Sequence, residues 1–346
     1  MKSIKDIAEE CNVSAGTVDR VLHNRKGVSE KTRDLVNQVI RKNNFKINKV
    51  ARSLALNKKI KIATLLPKFT KGNSFWKAPT QGINSAQMEV EVFGVSILKF
   101  TFDQFNVVSY LSQINELLNS NPDGVIIVPT FRKETEQIIL EFERRKIPYI
   151  FLNINLKGFN NISYLGQDSF SAGYTAGKLM NLSIAEKKVV IIIRTRIDFE
   201  NNTAFSDRIQ GFNRYFKDNN ISIICINEDV FNLNNPVKLK KNLSIIFKKN
   251  PDVQGVFIPS SRVSYVANCI ESISYKKLAV IGFDGTAENI KCLNEDKISF
   301  LISQKPFKQG FDSIKLMVNY LIENNQPSHE IFFPIDILTK ENAAFN

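Results

Sequence analysis

The chain has few of the residues that metal sites and disulfide frameworks need. Its 346 residues include four cysteines, at positions 11, 225, 269 and 292, and only two histidines, His23 and His329. No two cysteines form a Cys-x-x-Cys pair, and the histidines lie far apart in the sequence. Structural zinc and disulfide frameworks both depend on closely spaced ligands or paired cysteines. We therefore expect no metal, no cofactor and no disulfide framework.

Long apolar runs are missing as well. The longest strictly apolar run extends from Val189 to Ile193, whereas a helix that spans a bilayer needs about 20 apolar residues. The first ten residues carry acidic side chains where a secretory signal has a continuous apolar stretch. We therefore expect a cytoplasmic protein with no membrane partner.

The sequence also lacks the motifs of common catalytic sites. It contains no Gly-rich phosphate loop, no nucleophile elbow and no clustered metal ligands. We therefore expect no catalytic residues and predict that the chain is not an enzyme.

Composition and charge point to a globular protein of more than one domain that binds an anion. Apolar residues make up 43% and charged residues 23%, and 346 residues exceed what one core usually organises. Residues 1–60 contain 14 Lys+Arg against 6 Asp+Glu, so they carry +8 of the net charge of +13. Such a local excess is typical of DNA binding, because phosphate contacts release condensed counterions. A solvated basic face is the alternative.

Residues 1–46 have the pattern of a small all-α domain. Their apolar residues recur at intervals of three and four, with no alternating stretch, which predicts three short helices. Ser14 offers a capping hydroxyl for the second helix, and a third helix is expected to start at Ser29. The third helix is expected to bury Leu35, Val36, Val39 and Ile40.

The outer face of the second helix carries the candidate base-reading residues. These are Ala15, Gly16, Thr17, Asp19 and Arg20, and the other DNA-contact candidates of this domain are Lys5, Ser14 and Asn24. A helix N-terminus in the major groove places short side chains against base edges, and Arg20 can donate two hydrogen bonds to guanine. A carboxylate at Asp19 repels phosphates unless it accepts a hydrogen bond from a base amine or pairs with Arg20. Both interpretations of Asp19 stay open at this point.

The motifs of this segment resemble those of the lactose/galactose-repressor family of bacterial regulators. They are I-K-D-I-A at 4–8, V-S at 13–14, T-V at 17–18, R-V-L at 20–22, V-S-E-K-T-R at 28–33 and N-K-V-A-R-S-L-A at 48–55. The resemblance implies a helix-turn-helix domain that binds a pseudo-palindromic operator as a homodimer. It also implies that residues 47–59 form a hinge helix and linker, in which Lys49 and Ala51 contact DNA and Leu54 wedges into the minor groove. An ordinary linker helix is the alternative.

From Ile60 onward, short β-rich runs alternate with amphipathic stretches. The runs are KIATLLP, DGVIIVP, IPYIFLN, KKVVIIIR, ISIICIN, VQGVFIP and KLAVIGFD. This β-α-β alternation predicts parallel sheets flanked by helices. The expected fold class is therefore a small all-α helix-turn-helix domain at 1–46 followed by an α/β domain at 60–346.

The α/β segment resembles the two-lobed, periplasmic-binding-protein-like sensor of the same family, especially its ribose-binding type. The resemblance places the first lobe at about 60–163 and 306–330, and the second at about 164–305 and 331–346. The candidate effector-binding residues are Phe75, Trp76, Asn153, Asp168, Arg208, Asp284 and Gln304.

Aromatic plates suit the apolar faces of a sugar, and bidentate polar groups suit its hydroxyls. The same residues could instead serve the fold, through core packing of the aromatics, an interlobe salt bridge between Arg208 and Asp284, and helix capping by Asp168. Ile154 and Ser260 stand where ribose binders usually carry arginine and asparagine, so ribose itself is not expected.

Together these features predict a DNA-binding transcription regulator, expected to be a repressor, that is controlled by a small effector such as a monosaccharide or a derivative. A regulator that responds to a nucleobase has the same architecture. A transporter's solute-binding protein would share the two-lobed domain but needs an export signal, and a sugar-acting enzyme would need the missing catalytic motifs. The few residues after Lys340 provide no leucine heptads, so a homodimer is expected rather than a tetramer.

Overall fold

The computed structural model describes residues 4–22, 25–43, 45, 59–70, 74–185, 189–195, 202–231, 233–273 and 277–345. The expected DNA contacts of the hinge, Lys49, Ala51 and Leu54, lie outside these ranges, and so does Asn24. Within the described ranges, no helix has both the length and the apolar character needed to cross a membrane.

Three helices form the N-terminal module, residues 4–45. They are α1 (Ile4–Glu10), α2 (Ala15–Leu22) and α3 (Glu30–Lys42). Their common core consists of Ile7, Ala8, Cys11, Val18, Val21, Val36 and Val39. Ser29 caps α3, because its Oγ accepts a hydrogen bond from the Thr32 N–H at 3.2 Å.

The expectation that Leu35 is buried is wrong, since this residue is 44% exposed. The inward face of α3 is centred on Val36 and Val39, which are buried. Leu35 precedes Val36 by one residue and therefore points about 100° away from it around the helix axis.

Residues 60–345 form two lobes of alternating strands and helices. The strands are β1 (Ile60–Pro67), β2 (Val95–Phe102), β3 (Gly124–Ile127), β4 (Tyr149–Leu152), β5 (Ser163–Gly166), β6 (Val189–Arg194), β7 (Ile224–Asp229), β8 (Gly255–Phe257), β9 (Ala279–Phe283), β10 (Phe300–Ser303), β11 (Glu330–Phe332) and β12 (Asp336–Leu338). The helices are α4 (Lys77–Val90), α5 (Val107–Asn119), α6 (Arg132–Arg144), α7 (Ser169–Ser183), α8 (Thr203–Asp218), α9 (Pro236–Lys249), α10 (Val263–Ile270), α11 (Ala287–Asn294) and α12 (Pro306–Glu323).

Each lobe is built on one six-stranded sheet. The first sheet has the order β11-β5-β4-β3-β1-β2, and the second has the order β12-β10-β9-β8-β6-β7. All strand pairs of the first sheet are parallel. In the second sheet, β12 runs antiparallel to β10 and the other pairs are parallel. The predicted fold class, a helical module followed by a two-lobed α/β domain, is confirmed.

Both faces of each sheet are buried at its inner strands, such as β3 and β4, which explains their continuous apolar runs. In β4, Ile150 and Leu152 pack into one core of the first lobe, and Tyr149 and Phe151 pack into the other. Helices cover both faces of such a sheet, so side chains on either side of the strand leave water. This explains why inner strands such as β3 and β4 were recognisable from sequence.

The chain crosses between the lobes three times, after β5, after β10 and after β11. The first and third crossings follow Gly166 and Phe332. The first lobe therefore extends a few residues beyond 163 and 330, the bounds expected from the sequence. The reason is that Ser163–Gly166 and Glu330–Phe332 pair with each other in the first sheet. Backbone pairing therefore keeps both segments in the first lobe.

A glycine allows α7 and α8 to pack at close range and so positions one face of α8. A Cβ atom at Gly173 of α7 would collide with the backbone carbonyl group of Arg208 on α8. The side chain of Arg208 is itself buried. The position of Arg208 therefore depends on the neighbouring helix having a glycine, which has no side chain, at position 173.

We expect Gly173→Ala to destabilise the α/β domain by about 1–3 kcal/mol, since overpacking forces helices or side chains apart. Chemical denaturation of the full chain measures the change. Lys178→Ala, at an exposed position on the same helix, is the matched control and should change stability by no more than about 0.5 kcal/mol. An unchanged unfolding free energy for Gly173→Ala would contradict the close packing.

Candidate functional site

The N-terminus of α2 is held open at the surface by a capping interaction. The Ser14 Oγ accepts a hydrogen bond from the Thr17 N–H at 3.1 Å, and the two hydroxyl oxygens lie 2.9 Å apart. Ala15 and Gly16 of the first turn are exposed. The cap therefore presents this turn to solvent, as a helix that enters a groove requires.

The cations expected at this surface are accessible. Arg20 and Lys5 are exposed, and among the described residues Arg20 has no side-chain hydrogen bond or ion pair. The ion pair considered between Asp19 and Arg20 is not formed. The Asp19 Oδ2 instead accepts a hydrogen bond from Arg25 Nη1 at 3.2 Å. The guanidinium group of Arg20 is thus available for an acceptor outside the chain.

A cleft between the two lobes brings most of the predicted effector residues together. Its empty volume is about 600 Å³, a figure that includes solvent at its mouth. The predicted residues that line it are Phe75, Trp76, Asn153, Arg208, Asp284 and Gln304. Ile154 and Ser260, the two positions on which the expectation against ribose rests, line it too.

Asp168 is not brought into this group. It caps α7, and its carboxylate accepts hydrogen bonds from the Ser171 N–H and the Ser171 hydroxyl, each at 3.0 Å. Both carboxylate oxygens accept hydrogen bonds at one helix terminus, so Asp168 acts as a helix cap in this structure.

An aromatic pair forms one wall of the cleft. The rings of Phe75 and Trp76 meet edge to face, with centroids 4.9 Å apart. Trp76 Nε1 donates to Gln104 Oε1 at 3.4 Å, which orients the indole. Both aromatics also belong to the core of the first lobe, so packing holds them in place while they line the cavity.

A run of side-chain hydrogen bonds crosses the cleft from one lobe to the other. Asn153 Nδ2, at the end of β4, donates to Gln304 Oε1 at 2.9 Å. Gln304 Nε2 donates in turn to Asp284 Oδ1, also at 2.9 Å. Asn153 and Asp284 both have φ of +67°, a left-handed conformation that asparagine and aspartate tolerate better than most residues. The two turns thus aim both side chains at Gln304.

Arg208 supplies the buried cation of the cleft. It is 4% exposed, its Nη1 donates to the Pro259 carbonyl at 3.0 Å, and its guanidinium carbon lies 3.8 Å from the centroid of the Phe283 ring. Its Nε has no hydrogen-bond partner among the described residues. The same holds for two other buried atoms of the lining, Thr130 Oγ1 and Asn202 Oδ1.

Buried polar atoms without partners are costly, and a ligand rich in hydroxyl groups can satisfy them. Among the described residues, no group of three or more His, Cys, Asp or Glu is arranged to hold a metal ion. The site is therefore suited to bind a polar organic molecule through hydrogen bonds.

Burial shifts the titration of the charged pair in the cleft. The pKa of Asp284 is raised to about 6, chiefly by burial, with the nearby Arg208 and the Gln304 hydrogen bond acting in the opposite direction. Burial also lowers the pKa of Arg208, and the Asp284 carboxylate partly offsets this effect. Each group therefore limits the other's desolvation penalty.

Several lining residues were not predicted from sequence. They are Gln104, Thr130, Thr195, Asn202, Ala204, Phe205, Ser261 and Arg262. The polar residues Gln104, Thr130 and Thr195 follow β2, β3 and β6, where ligands of open parallel sheets bind. A polar residue just after a predicted strand was the signal that could have found Thr130 and Thr195, whereas the strand before Gln104 was not among the predicted runs.

A buried glutamine joins the three crossings. Gln167, 2% exposed, lies in the first crossing, and its Nε2 donates to the carbonyl of Ser303 at 3.0 Å and to that of Pro334 at 3.2 Å. Ser303 ends the strand before the second crossing, and Pro334 lies in the third. One side-chain amide thus joins the three segments that connect the lobes.

Other contacts hold the lobes together around the cleft. Ser74 Oγ donates to Glu288 Oε2 at 3.0 Å, and Thr203 Oγ1 donates to the carbonyl of Asn155 at 3.0 Å. The guanidinium carbon of Arg262 lies 4.3 Å from the Phe105 ring centroid. Each of these contacts joins one lobe to the other, so the cleft is closed in this structure.

Comparison with known families agrees with this architecture. The model described as "Bacterial regulatory proteins, lacI family" matches residues 3–48, and the model described as "Periplasmic binding protein domain" matches residues 62–325. The chain joins a DNA-binding domain of the lacI family to a periplasmic-binding-protein-like domain.

Two relatives of this chain match it over nearly their whole length. The "Ribose operon repressor" of Halalkalibacterium halodurans is 24% identical over 99% of this chain and 97% of the relative. The protein of the same name from Bacillus subtilis is 25% identical over 99% of both chains. A solved structure, "a putative LacI transcriptional regulator from Bacteroides fragilis", is 26% identical and has a TM-score of 0.78, covering 84% of this chain and 100% of that one.

The pKa of Asp284 makes the stability of this chain depend on pH. Its folded-state pKa of about 6 lies above the ordinary value of 3.8, so the folded state binds the proton more tightly than the unfolded state. The stabilisation from protonated Asp284 is therefore present at low pH and lost as pH rises from about 4 through 6. Asp284→Asn, which keeps an acceptor for Gln304, removes this dependence.

We expect the stability of the wild type to fall relative to Asp284→Asn by on the order of 2 kcal/mol between pH 4 and pH 7. Denaturant unfolding at a series of pH values measures the difference. Asp252→Asn, at an exposed position, controls for the loss of one carboxyl group. A constant difference between wild type and Asp284→Asn across this range would contradict the raised pKa.

Proposed function

We propose that the chain is a transcriptional repressor whose N-terminal module binds operator DNA and whose cleft binds a sugar effector. The observation that carries the proposal is the pairing, in one chain, of an exposed capped helix bearing Arg20 with a closed cleft lined by Trp76, Arg208 and Asp284. The repressor names of the two full-length relatives support the same function. Such a regulator acts on chromosomal DNA in the cytoplasm, and its activity is binding rather than catalysis.

The operator is proposed to be pseudo-palindromic and to be bound by a homodimer. One helix-turn-helix reads only a few base pairs, so two modules related by a two-fold axis are needed for a site of useful length. The sequence of the proposed hinge, residues 47–59, is too short to form a stable helix alone. Pairing of two hinges on DNA, with Leu54 in the minor groove, would supply the missing stabilisation.

The effector is proposed to be a monosaccharide or a derivative. A sugar ring offers apolar faces to Phe75 and Trp76, and hydroxyl groups to Arg208, Asp284 and Asn202. Ile154 is apolar and 4% exposed, so one side of the cleft differs from that expected for ribose. A non-sugar ligand such as a nucleobase is an outcome of the experiment below.

Effector binding is proposed to act on DNA binding through lobe closure. Closure bends the three crossings together and changes the angle between the lobes, and the two hinges of a dimer respond to the relative position of their lobes. A coupling free energy of about 1–3 kcal/mol is enough to change operator occupancy substantially.

The proposal is tested with the full-length chain in two steps. A pool of random duplexes is first selected for binding, and the affinity for the selected duplex is then measured with and without a panel of sugars, polyols and nucleobases. We expect selection to yield a sequence with two-fold symmetry, and at least one sugar to change the affinity about 5- to 150-fold. Failure to bind any duplex at low salt would contradict the proposed function.

Arg208→Ala is expected to abolish the effector response and to leave duplex affinity unchanged, because Arg208 lies in the cleft and belongs to another folding unit than α2. The measurement is the affinity for the selected duplex with and without the active effector. Arg214→Ala, an exposed position on the same helix, is the matched control and should keep the full response. A retained response in Arg208→Ala would show that the effector binds elsewhere.

A further inference from the structure

The carboxylate of Asp19 lies on the helix face that also carries Arg20, the proposed base-reading cation. A carboxylate at such a position opposes DNA binding, because it faces a polyanion. Its Oδ2 accepts a hydrogen bond from Arg25 Nη1 at 3.2 Å. The negative charge on this face is therefore neutralised from within the module.

Arg25 is held at three points, although its side chain is nearly half exposed. Its backbone N–H donates to the Arg20 carbonyl at 2.8 Å, and its carbonyl accepts from Arg33 Nη2 of α3 at 2.8 Å. Its guanidinium group donates to Asp19. Contacts from both α2 and α3 thus fix the backbone and the side chain of a residue beyond the last turn of α2.

An exposed ion pair of this kind contributes little to folding, so a role in stability alone does not account for the arrangement. A guanidinium group with five N–H donors can bind one carboxylate and still donate to a second acceptor. An arginine held next to the base-reading helix is suited to donate that second set of bonds to a DNA phosphate.

We propose that Asp19 does not read a base but positions Arg25 as a phosphate clamp beside α2. This inference rests on the proposed DNA-binding function. In the bound state the Arg25 guanidinium bridges the Asp19 carboxylate and a backbone phosphate. The clamp fixes the depth and orientation of α2 in the groove, while Arg20 makes the base contact.

The test compares four full-length proteins: the wild type, Arg25→Ala, Asp19→Ala and the double variant. For each, the affinity for the duplex selected with the wild type and for a random duplex is measured at several salt concentrations. Random-pool selection is repeated with each single variant to obtain its preferred sequence. Thermal unfolding verifies that the N-terminal module is folded.

A matched control exists on the same module. Lys42 forms an ion pair of the same length, 3.2 Å, with Glu10 of α1. Lys42→Ala therefore removes one positive charge and one exposed ion pair, but it leaves the outer face of α2 intact. We expect its affinity for the selected duplex to change less than about threefold.

We expect Arg25→Ala to weaken binding to both duplexes by about 10-fold and to lower the slope of log affinity against log salt by about one. Asp19→Ala should leave the selected sequence unchanged. The double variant should bind more tightly than Arg25→Ala, because it also lacks the Asp19 carboxylate, which repels the DNA phosphates. The cost of removing Arg25 is thus larger when Asp19 is present.

Three results would overturn the inference. The first is a changed base preference at one position in Asp19→Ala, which would identify Asp19 as a base reader. The second is an unchanged salt slope in Arg25→Ala, and the third is additive effects in the double variant. Since all three are scored against a wild type that binds duplex DNA, they are distinct from failure of the proposed function, in which the wild type binds none.

Discussion

The cleft depends on the hydrogen bonds that run from Asn153 through Gln304 to Asp284. This run exists because parallel strands of both sheets end at the same cavity, and each turn after a strand delivers one polar side chain. Because these groups are buried, a polar group that loses its hydrogen-bond partner there costs more free energy than it would in water. The same burial raises the pKa of Asp284 and keeps Arg208 close to a carboxylate and an aromatic ring.

Three crossings of the chain connect the two lobes that form this cleft. Gln167 bonds to the backbone near the two other crossings, so one side chain joins all three crossings. In the proposed mechanism, one small molecule that closes the cleft would bend all three crossings together. In the N-terminal module, a capped helix carries an accessible arginine and a carboxylate that is paired with Arg25.

The parts of the structure that could be predicted from sequence are those governed by periodicity. The helical spacing around Ile7 and Val18 and the apolar runs such as Tyr149–Leu152 identified the elements, and Ser14 was found as a cap. Leu35 was misplaced, because spacing alone does not settle which side of an apolar stripe faces the core. The pairing of Asp19 with Arg25 was missed since Arg25 lies outside the helix. Gln167 carried no sequence signal, as its role depends on three distant segments meeting.

The central claim is that occupancy of the cleft and DNA binding are thermodynamically coupled. Calorimetric titration of the active effector into the full-length chain, alone and saturated with its selected duplex, tests this claim most directly. The account predicts that DNA changes the effector affinity by the same factor by which the effector changes the DNA affinity. An identical effector affinity in the presence and absence of duplex would contradict it.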